Sequence, residues 1–361
     1  MAERKYNPDI AIHPGKTLED TLNSLKMSQA DLAHRTGLTT KTINEIIQGK
    51  NPITPDTAIK LSMVFGMSAN FWNNLEKNYE ETLARLSFEK QVAKELPLLQ
   101  KFTCYNELYK WGYVKKTLDA KEKINNLLSF FGITSLNLVP VNLGVSFRRT
   151  KGKQVSNESL AAWLRCGEID AQEIKTQDFD KSKLINSLES LKSLTKEKPE
   201  VFQSKLIDIC SSSGIAVAFV PPLKKTYVNG ATRWINPDKA IIQLSLRGNR
   251  DDIFWFTFFH EIAHLVKHSK KEQFIEFEDQ KSTEDKEKEA DEFACETLIP
   301  EKKYLSFISK KDTSDNAIMN FANELNISAS IVAGRLCHKH NDWKKWSHLR
   351  KRLKFVSSTS C

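Results

Sequence analysis

The sequence predicts a multidomain protein with an all-α N-terminal domain, a helical connector and an α+β C-terminal domain. Three observations support this fold class. Short amphipathic segments separated by glycine and proline fill residues 7–85. Residues 76–195 are rich in charge and repeat their apolar positions at helical spacing. After residue 200, short apolar runs alternate with turn residues, and a long apolar helix follows them.

Composition restricts the class of protein. The chain has 361 residues, of which 40% are hydrophobic and 27% charged, as in a globular protein with a sizeable core. Its net charge of +9 is compatible with nucleic-acid binding and equally with a surface of solvated lysines. No run is apolar enough to span a bilayer, and residues 1–5 begin no signal peptide. The six cysteines form no CxxC pair, which predicts reduced thiols and a cytoplasmic protein.

The N-terminal domain, residues 1–85, carries boundary signals for five helices. Ser28 precedes the second helix and Asp31 stands at its third position, which is the pattern of a capping box. Pro55 occupies the first turn of the fourth helix, where its missing backbone N–H is harmless. The fifth helix is predicted to begin at Phe71.

The second and third helices form a helix-turn-helix pattern, with Gly37 at the turn and Thr39 or Thr40 as the next N-cap. In such a motif the second helix enters the DNA major groove with its N-terminal residues at the base edges. Gln29, at the start of the preceding helix, is predicted to contact phosphate. A small bundle that binds protein is the alternative. The residues predicted to contact DNA at the start of the third helix are Thr39, Thr40, Lys41 and Asn44.

This N-terminal domain resembles the HigA family of antitoxins, a branch of the lambda-repressor-like helix-turn-helix domains. The resemblance implies a dimer that binds an operator and represses its own transcription. A simple antitoxin ends soon after the fifth helix, whereas this chain continues well beyond it. The matching segments are HPG at 13–15, SQ at 28–29, LA at 32–33, GK at 49–50, PITP at 52–55 and FWNNL at 71–75.

Residues 86–195 are predicted to form a mostly helical connector or dimerisation region. A long amphipathic helix over residues 79–96 leads into it. Another helix, over residues 160–168, is predicted to stop at Gly167. The segment 145–149 is interpreted as a short basic strand or loop. We expect these elements to serve core and interdomain packing.

A histidine pair on the long apolar helix predicts a metal site. His260 and His264 are four residues apart and lie on one face of a helix, one turn from each other. They can offer two imidazole nitrogens to one Zn²⁺, with Glu261 beside them to take a proton from the metal-activated water. Residues 253–259 are apolar, so the helix should be buried, and buried His and Glu are costly unless they bind a partner. Two incidental histidines are the alternative. His268 is too close to be the third ligand and is interpreted as a surface residue or a hydrogen-bond partner.

The third ligand is predicted on the following helix. Glu287 falls on the inward face of that helix, Asp291 at its edge and Glu289 well off it. Glu287 is therefore the better ligand, and Asp291 could hydrogen-bond a ligating histidine. Ser282 or Thr283 is a plausible N-cap for this helix. The inward face consists of Ala290, Phe293, Ala294, Thr297 and Leu298.

These features resemble the ImmA/IrrE family of zinc metallopeptidases over residues 196–310, which implies a zincin-like α+β fold. The resemblance implies His260, His264 and Glu287 as ligands of Zn²⁺ and Glu261 as general base. It also implies cleavage of a protein, often a transcriptional regulator. The matching segments are HEIAH at 260–264, EKEADEFA at 287–294, LIP at 298–300, NGA at 229–231 and IIQLSLR at 241–247.

Three strands are predicted before the metal helix, at residues 214–222, 230–234 and 240–246. In the last of them, Gln243 and Ser245 alternate with apolar neighbours. We therefore predict that this strand lies beside the metal site and binds an extended peptide by edge pairing.

Residues 311–361 are predicted to be a helical extension that packs on the peptidase-like domain. Its end, residues 338–354, is basic and contains Trp343 and Trp346. We interpret this end as a solvated tail, with nucleic-acid binding as the alternative.

The combined expectation is an antitoxin-like transcriptional repressor with a Zn²⁺-dependent peptidase domain that cleaves a toxin, a repressor or its own linker. A homodimer would place two recognition helices roughly 34 Å apart on a palindromic operator of double-stranded DNA. One alternative is an antitoxin and autorepressor whose peptidase-like domain is structural or sensory. Another is a peptidase whose helix-turn-helix docks a protein. None of these functions involves a membrane.

Overall fold

The computed structural model describes residues 8–139, 155–268, 274–277 and 285–354, the segment 274–277 by its backbone. The predicted N-cap at Ser282 or Thr283 and the basic segment 145–149 lie outside the described residues. The chain divides into two compact units, Met1–Leu96 and Pro97–Cys361. Within the described ranges, no helix has both the length and the apolar composition of a membrane span.

The first unit is a bundle of five helices: α1 (Pro14–Ser24), α2 (Gln29–Thr36), α3 (Thr40–Ile47), α4 (Pro55–Phe65) and α5 (Ala69–Lys94). The predicted capping box is confirmed, since the Asp31 amide donates to Ser28 and the Ser28 amide donates to the Asp31 carboxylate. Gly37 ends α2 with a positive φ of 69°. Thr39, and not Thr40, caps α3. The helix-turn-helix arrangement therefore forms where local signals predict it.

The fifth helix is longer than the sequence analysis predicts. It runs for 26 residues from Ala69 to Lys94, so the separate connector helix predicted from Tyr79 is wrong. Ser68 caps the helix, which explains why it begins before Phe71. Neither glycine nor proline interrupts the sequence up to Lys94, so the helix continues.

One apolar cluster holds the five helices together. Leu32, Ile43 and Trp72 are fully buried in it. Helix α1 passes so close to α3 that a Cβ on Gly15 would lie 2.0 Å from the Ile46 carbonyl oxygen. This contact fixes the inner face of α3 and leaves its outer face to solvent.

The second unit combines helices with one small mixed sheet, which confirms the predicted α+β fold class. The strands are β1 (Ile215–Phe219), β2 (Val228–Asn236), β3 (Lys239–Leu244) and β4 (Phe274–Phe277). The helices before the sheet are α6 (Leu96–Leu99, where the units divide), α7 (Tyr105–Lys110), α8 (Ala120–Phe131), α9 (Asn157–Glu173), α10 (Lys181–Ser193) and α11 (Pro199–Ser212). The helices after β3 are α12 (Asp251–Lys267), α13 (Asp285–Leu298), α14 (Glu301–Ser309), α15 (Asp315–Glu324) and α16 (Ala329–His340). Short 3-10 turns lie at Leu136–Leu138, Leu194–Lys196 and Arg247–Asn249.

The sheet has the strand order β1-β3-β2-β4, with β1 and β3 parallel and the other pairs antiparallel. Both edges of β3 are therefore occupied, and the prediction that it binds a peptide by edge pairing is wrong. The Gln243 side-chain amide donates to the Trp163 carbonyl of α9 over 2.6 Å, and the Ser245 hydroxyl donates to the Val228 carbonyl over 2.7 Å. The alternation of polar residues reflects buried hydrogen bonds within the fold.

Helix α9 continues past its predicted stop at Gly167. A Cβ on Gly167 would lie 2.1 Å from the side-chain amide carbon of Gln243. Arg233 on β2 adds to this contact by donating to the Leu164 carbonyl over 2.7 Å. Glycine is therefore required at residue 167 by the close approach of helix to sheet, and it does not end the helix.

A second apolar cluster joins the sheet, α12 and the C-terminal helices. Trp255, Phe258 and Phe259 of α12 are almost completely buried in it, together with Phe321 of α15 and Leu336 of α16. The prediction that the C-terminal extension packs on the preceding domain is confirmed.

Residues 338–345 are exposed, but Trp346 and Leu353 are buried in this core, so the interpretation of the segment 338–354 as a solvated tail is wrong. Trp346 is only 3% exposed. The Arg350 guanidinium lies 2.7 Å from the Asp252 carboxylate, and both side chains are buried. The segment therefore closes over the first turn of α12, and this contact could not be seen in its basic composition.

Candidate metal centre and nucleic-acid interface

Helix α12 buries the whole HEIAH segment. His260 and His264 are each 2% exposed, and Glu261 is 0% exposed. The Nε2 atoms of the two histidines point at each other and are 3.0 Å apart. Placing three ionisable side chains in an apolar core is costly without a compensating partner.

Helix α13 brings a carboxylate to the histidine pair. Glu287 Oε2 lies 3.2 Å from His260 Nε2 and 3.8 Å from His264 Nε2. Ligand atoms bound tetrahedrally at zinc distances of about 2.0–2.1 Å would be about 3.3 Å apart. The separations of 3.0, 3.2 and 3.8 Å bracket that value. Among the described residues, His260, His264 and Glu287 are the group of acidic and imidazole donors that could hold one metal ion.

Hydrogen bonds behind the rings determine which imidazole nitrogens face the centre. Asp291 Oδ1 is 2.9 Å from His260 Nδ1. An ionised carboxylate only accepts, so Nδ1–H donates and Nε2 keeps its lone pair. Burial, and after it the neighbouring His260 and His268, lower the pKa of His264 to about 2, so this ring is neutral at physiological pH. Two imidazole nitrogens and one carboxylate oxygen converge, and this donor set fits a zinc-type divalent cation.

Strand β2 holds the carboxylate of Glu261. The Thr232 hydroxyl donates to Glu261 Oε2 over 2.5 Å. A Cβ on Gly230 would lie 2.6 Å from Glu261 Oε1 and equally close to Thr257, so only glycine leaves room for this carboxylate. Gly230 entered the sequence comparison only as part of a matching segment, and Thr232 was not identified from the sequence as a site residue. The available signal was their spacing, since residues two apart on a strand share a face.

His268 and Glu289 lie behind the histidine pair. The imidazole of His268 is only 3% exposed, and its Nδ1 lies 2.9 Å from His264 Nδ1. Its Nε2 lies 3.3 Å from Glu289 Oε2. Of the two interpretations of His268, a hydrogen-bond partner of the site agrees with this geometry and a surface residue does not.

The start of α3 presents polar side chains to solvent. Thr40 and Lys41 are exposed and Asn44 is partly exposed, and all three fall within about 100° of the helix surface. Thr39 uses its hydroxyl to cap the helix. Gln29, partly exposed, is the first residue of α2. The structure thus brings Thr39 and these three residues together at the N-terminal end of α3, with Gln29 on the neighbouring helix.

Comparison with known families matches both units. Residues 18–72 match the helix-turn-helix family, and residues 210–337 match the IrrE N-terminal-like domain of Peptidase M78. The second match includes β1–β3, α12, α13 and most of α16, and therefore the whole candidate metal centre. The predicted combination of these two domains is confirmed.

Similar proteins match the first unit. The helix-turn-helix-type transcriptional regulator YddM of Escherichia coli (strain K12), described as uncharacterized, is 35% identical over 63 residues, which are 18% of this chain and 67% of that protein. Virulence-associated protein I of Dichelobacter nodosus is 37% identical over 75 residues, which are 20% of this chain and 69% of that protein. The structure of an addiction module antidote protein of the HigA family from Coxiella burnetii has 37% identity, covers 24% of this chain and 94% of that chain, and has a TM-score of 0.22. The chain therefore belongs to the helix-turn-helix family of transcriptional regulators and joins to its DNA-binding domain an IrrE N-terminal-like domain of Peptidase M78.

Proposed function

We propose that the chain is an antitoxin-like transcriptional repressor whose second unit is a zinc-dependent peptidase. The convergence of His260, His264 and Glu287, with Glu261 on the same buried turn, carries the peptidase part of this proposal. A purely structural zinc site fills all four tetrahedral positions with protein ligands, whereas three protein ligands keep one position for water or substrate. The three donors here correspond to the second pattern.

The residues have separate roles in this mechanism. His260, His264 and Glu287 would hold Zn²⁺, which would supply polarisation of a peptide carbonyl and activation of a water molecule. Glu261 takes the proton of the attacking water on its carboxylate and delivers it to the leaving amine. Thr232 orients that carboxylate through Oε2, and Asp291 holds the His260 ring with its Nε2 towards the centre.

The first unit recognises the operator DNA in this proposal. We infer a homodimer that places two α3 helices on a palindromic operator of double-stranded DNA, roughly 34 Å apart. The base edges or phosphates are contacted by Thr39, Thr40, Lys41 and Asn44. A phosphate is contacted by Gln29 at the start of α2. Action on chromosomal DNA places the protein in the cytoplasm. The substrate of the peptidase is then a protein that shares this location, such as a toxin or a separate repressor.

Replacement of Glu261 by glutamine tests the peptidase. The zinc-loaded protein and its Glu261→Gln variant are incubated with a proteome-derived peptide library, and new termini are identified by mass spectrometry. We expect cleavage by the wild type, a loss of at least 100-fold in the variant, and equal zinc content in both. If the two proteins give the same termini, or if the loaded wild type cleaves nothing, the metal centre is structural or sensory.

A promoter fragment from upstream of the protein's own gene tests the DNA-binding part. We expect a sequence-selective complex whose affinity falls steeply with salt concentration. A scrambled fragment that binds as tightly as the promoter would contradict operator recognition, and the absence of any complex would favour a helix-turn-helix that docks a protein partner.

A further inference from the structure

We propose that His268 and Glu289 form a hydrogen-bonded relay that orients His264, so that each metal-binding histidine is held from behind by a carboxylate of α13. This inference rests on the metal centre of the proposed function and assigns a role to two residues which that mechanism does not use.

The relay follows from three distances. His264 Nδ1 lies 2.9 Å from His268 Nδ1, and His268 Nε2 lies 3.3 Å from Glu289 Oε2. The Glu289 carboxylate accepts, so His268 carries its proton on Nε2 and presents a bare Nδ1. His264 must then donate from Nδ1, and its Nε2 keeps the lone pair that faces His260 Nε2 at 3.0 Å.

Two carboxylates of α13 orient the two histidine rings, one by direct contact and the other through a second imidazole. Asp291 reaches the His260 ring directly, over 2.9 Å. Glu289 Oε2 lies 3.3 Å from His268 Nε2, so it reaches the His264 ring through an intervening imidazole. His268 fits that task because it is the C-cap residue that directly follows α12, four positions after His264, and its imidazole is almost completely buried.

The geometry separates this role from that of a fourth ligand. His268 directs Nδ1 at the back of the His264 ring and Nε2 at Glu289, so both of its nitrogens are used away from the point where the three donors converge. It is a positioning residue, and its loss should weaken the metal without changing the ligand set. Partners of this kind typically change metal affinity 10–100-fold.

Metal affinity tests the relay without any substrate. The apoproteins of the wild type and of His268→Leu, His268→Asn and Glu289→Ala are titrated with Zn²⁺ against a chromophoric chelator. Absorption spectra of the Co²⁺ forms and unfolding temperatures of the apoproteins are recorded in parallel. Glu292→Ala, an exposed glutamate on the same helix, is the matched control.

We expect His268→Leu to raise the zinc dissociation constant about 10–100-fold. His268→Asn should recover most of the loss, because its side-chain oxygen can accept from His264 Nδ1–H. Glu289→Ala should cost only a few-fold, because this carboxylate is 56% exposed and water can replace it. The Co²⁺ absorption spectra of all variants should have the same band shape as that of the wild type. The zinc affinity of Glu292→Ala should equal that of the wild type.

Equal zinc affinity in His268→Leu and the wild type would overturn the relay and leave the peptidase proposal intact. A Co²⁺ spectrum that changes its envelope in His268→Asn would overturn it by making His268 a ligand. Should His268→Leu fail to fold, Glu289→Ala decides, since it changes a surface side chain; affinity equal to that of Glu292→Ala would overturn the relay. A wild type that takes up no zinc would overturn both proposals.

Discussion

The two candidate sites of this chain are built in opposite ways. The residues proposed to contact DNA follow one another along the exposed N-terminal end of α3, and local capping places them. The candidate metal centre is buried and is assembled from α12, α13 and β2, which are separate elements of the sequence. A surface site of the first kind depends on side-chain identity alone. A site of the second kind depends on the packing that brings its elements together.

Removal of a metal ligand should give the largest effect and test the independence of the two sites. We expect His260→Ala and Glu287→Ala to weaken zinc binding by more than the 10–100-fold typical of residues behind the ligands. Because each unit has its own apolar core, operator affinity should stay within about two-fold of the wild type. Metal analysis and a DNA-binding titration on the same preparations measure both. A parallel loss of DNA binding would show that the second unit controls the first.

A substitution distant from the metal should show how far the buried site depends on packing. In Gly167→Ala, the new methyl group overlaps the Gln243 amide, and we expect a loss of about 1–3 kcal/mol in stability. The unfolding temperature of the second unit should fall, whereas that of the first should not change. The double variant with Gln243→Ala removes the obstructing side chain and should recover part of the loss relative to Gln243→Ala alone. If Gly167→Ala is as stable as the wild type, α9 does not approach β3 this closely.

The different construction of the sites also explains which features the sequence predicts. Capping at Ser28 and Thr39 is local, so the helix-turn-helix could be predicted with its helix starts. The spacing of the candidate ligands is also local, because helical periodicity places His260 and His264 on one face of α12 and Glu287 on the inward face of α13. Strand order is not local, and for this reason Gln243 was assigned to a peptide-binding edge when it lies on an inner strand.

Contacts between residues that are distant in sequence also account for the residues whose roles the sequence did not reveal. Thr232 reaches Glu261 across 29 positions of sequence, and no periodicity on either element encodes that contact. Gly167 has the same sequence appearance as a helix stop, and only the side chain opposite it reveals a close packing contact. Composition likewise does not distinguish a basic tail from a basic segment with a buried Trp346.

A pH-dependent prediction tests how the first turn of α12 is held. Burial raises the pKa of Asp251 to about 6, from an ordinary value of 3.8. The folded state therefore binds the extra proton between these values, and the stability that this group contributes is present below pH 3.8 and lost as the pH rises through about 6. Asp251→Asn stays neutral, so relative to the wild type it should gain about 2–3 kcal/mol between pH 4 and pH 8. Urea unfolding of both proteins at the two pH values measures this; a difference that does not change with pH would contradict it.

The smallest effect on stability is expected for a substitution on the exposed end of α3, where the side chain is not packed against its neighbours. The Lys41 side chain is 83% exposed, and its ammonium group lies 3.9 Å from Glu45, a separation that contributes little to stability. Lys41→Ala should therefore leave the unfolding temperature of the first unit unchanged. If Lys41 contacts phosphate, the variant should bind operator and scrambled DNA equally more weakly, and the slope of log binding constant against log salt concentration should fall in magnitude by about one. If Lys41 contacts guanine, the variant should weaken the operator complex selectively, by about 1–3 kcal/mol. Lys77→Ala, an exposed lysine on α5, is the matched control. If Lys41→Ala binds like Lys77→Ala, the exposed end of α3 does not contact DNA at this residue, and the contrast between the two sites would need a different surface of the first unit.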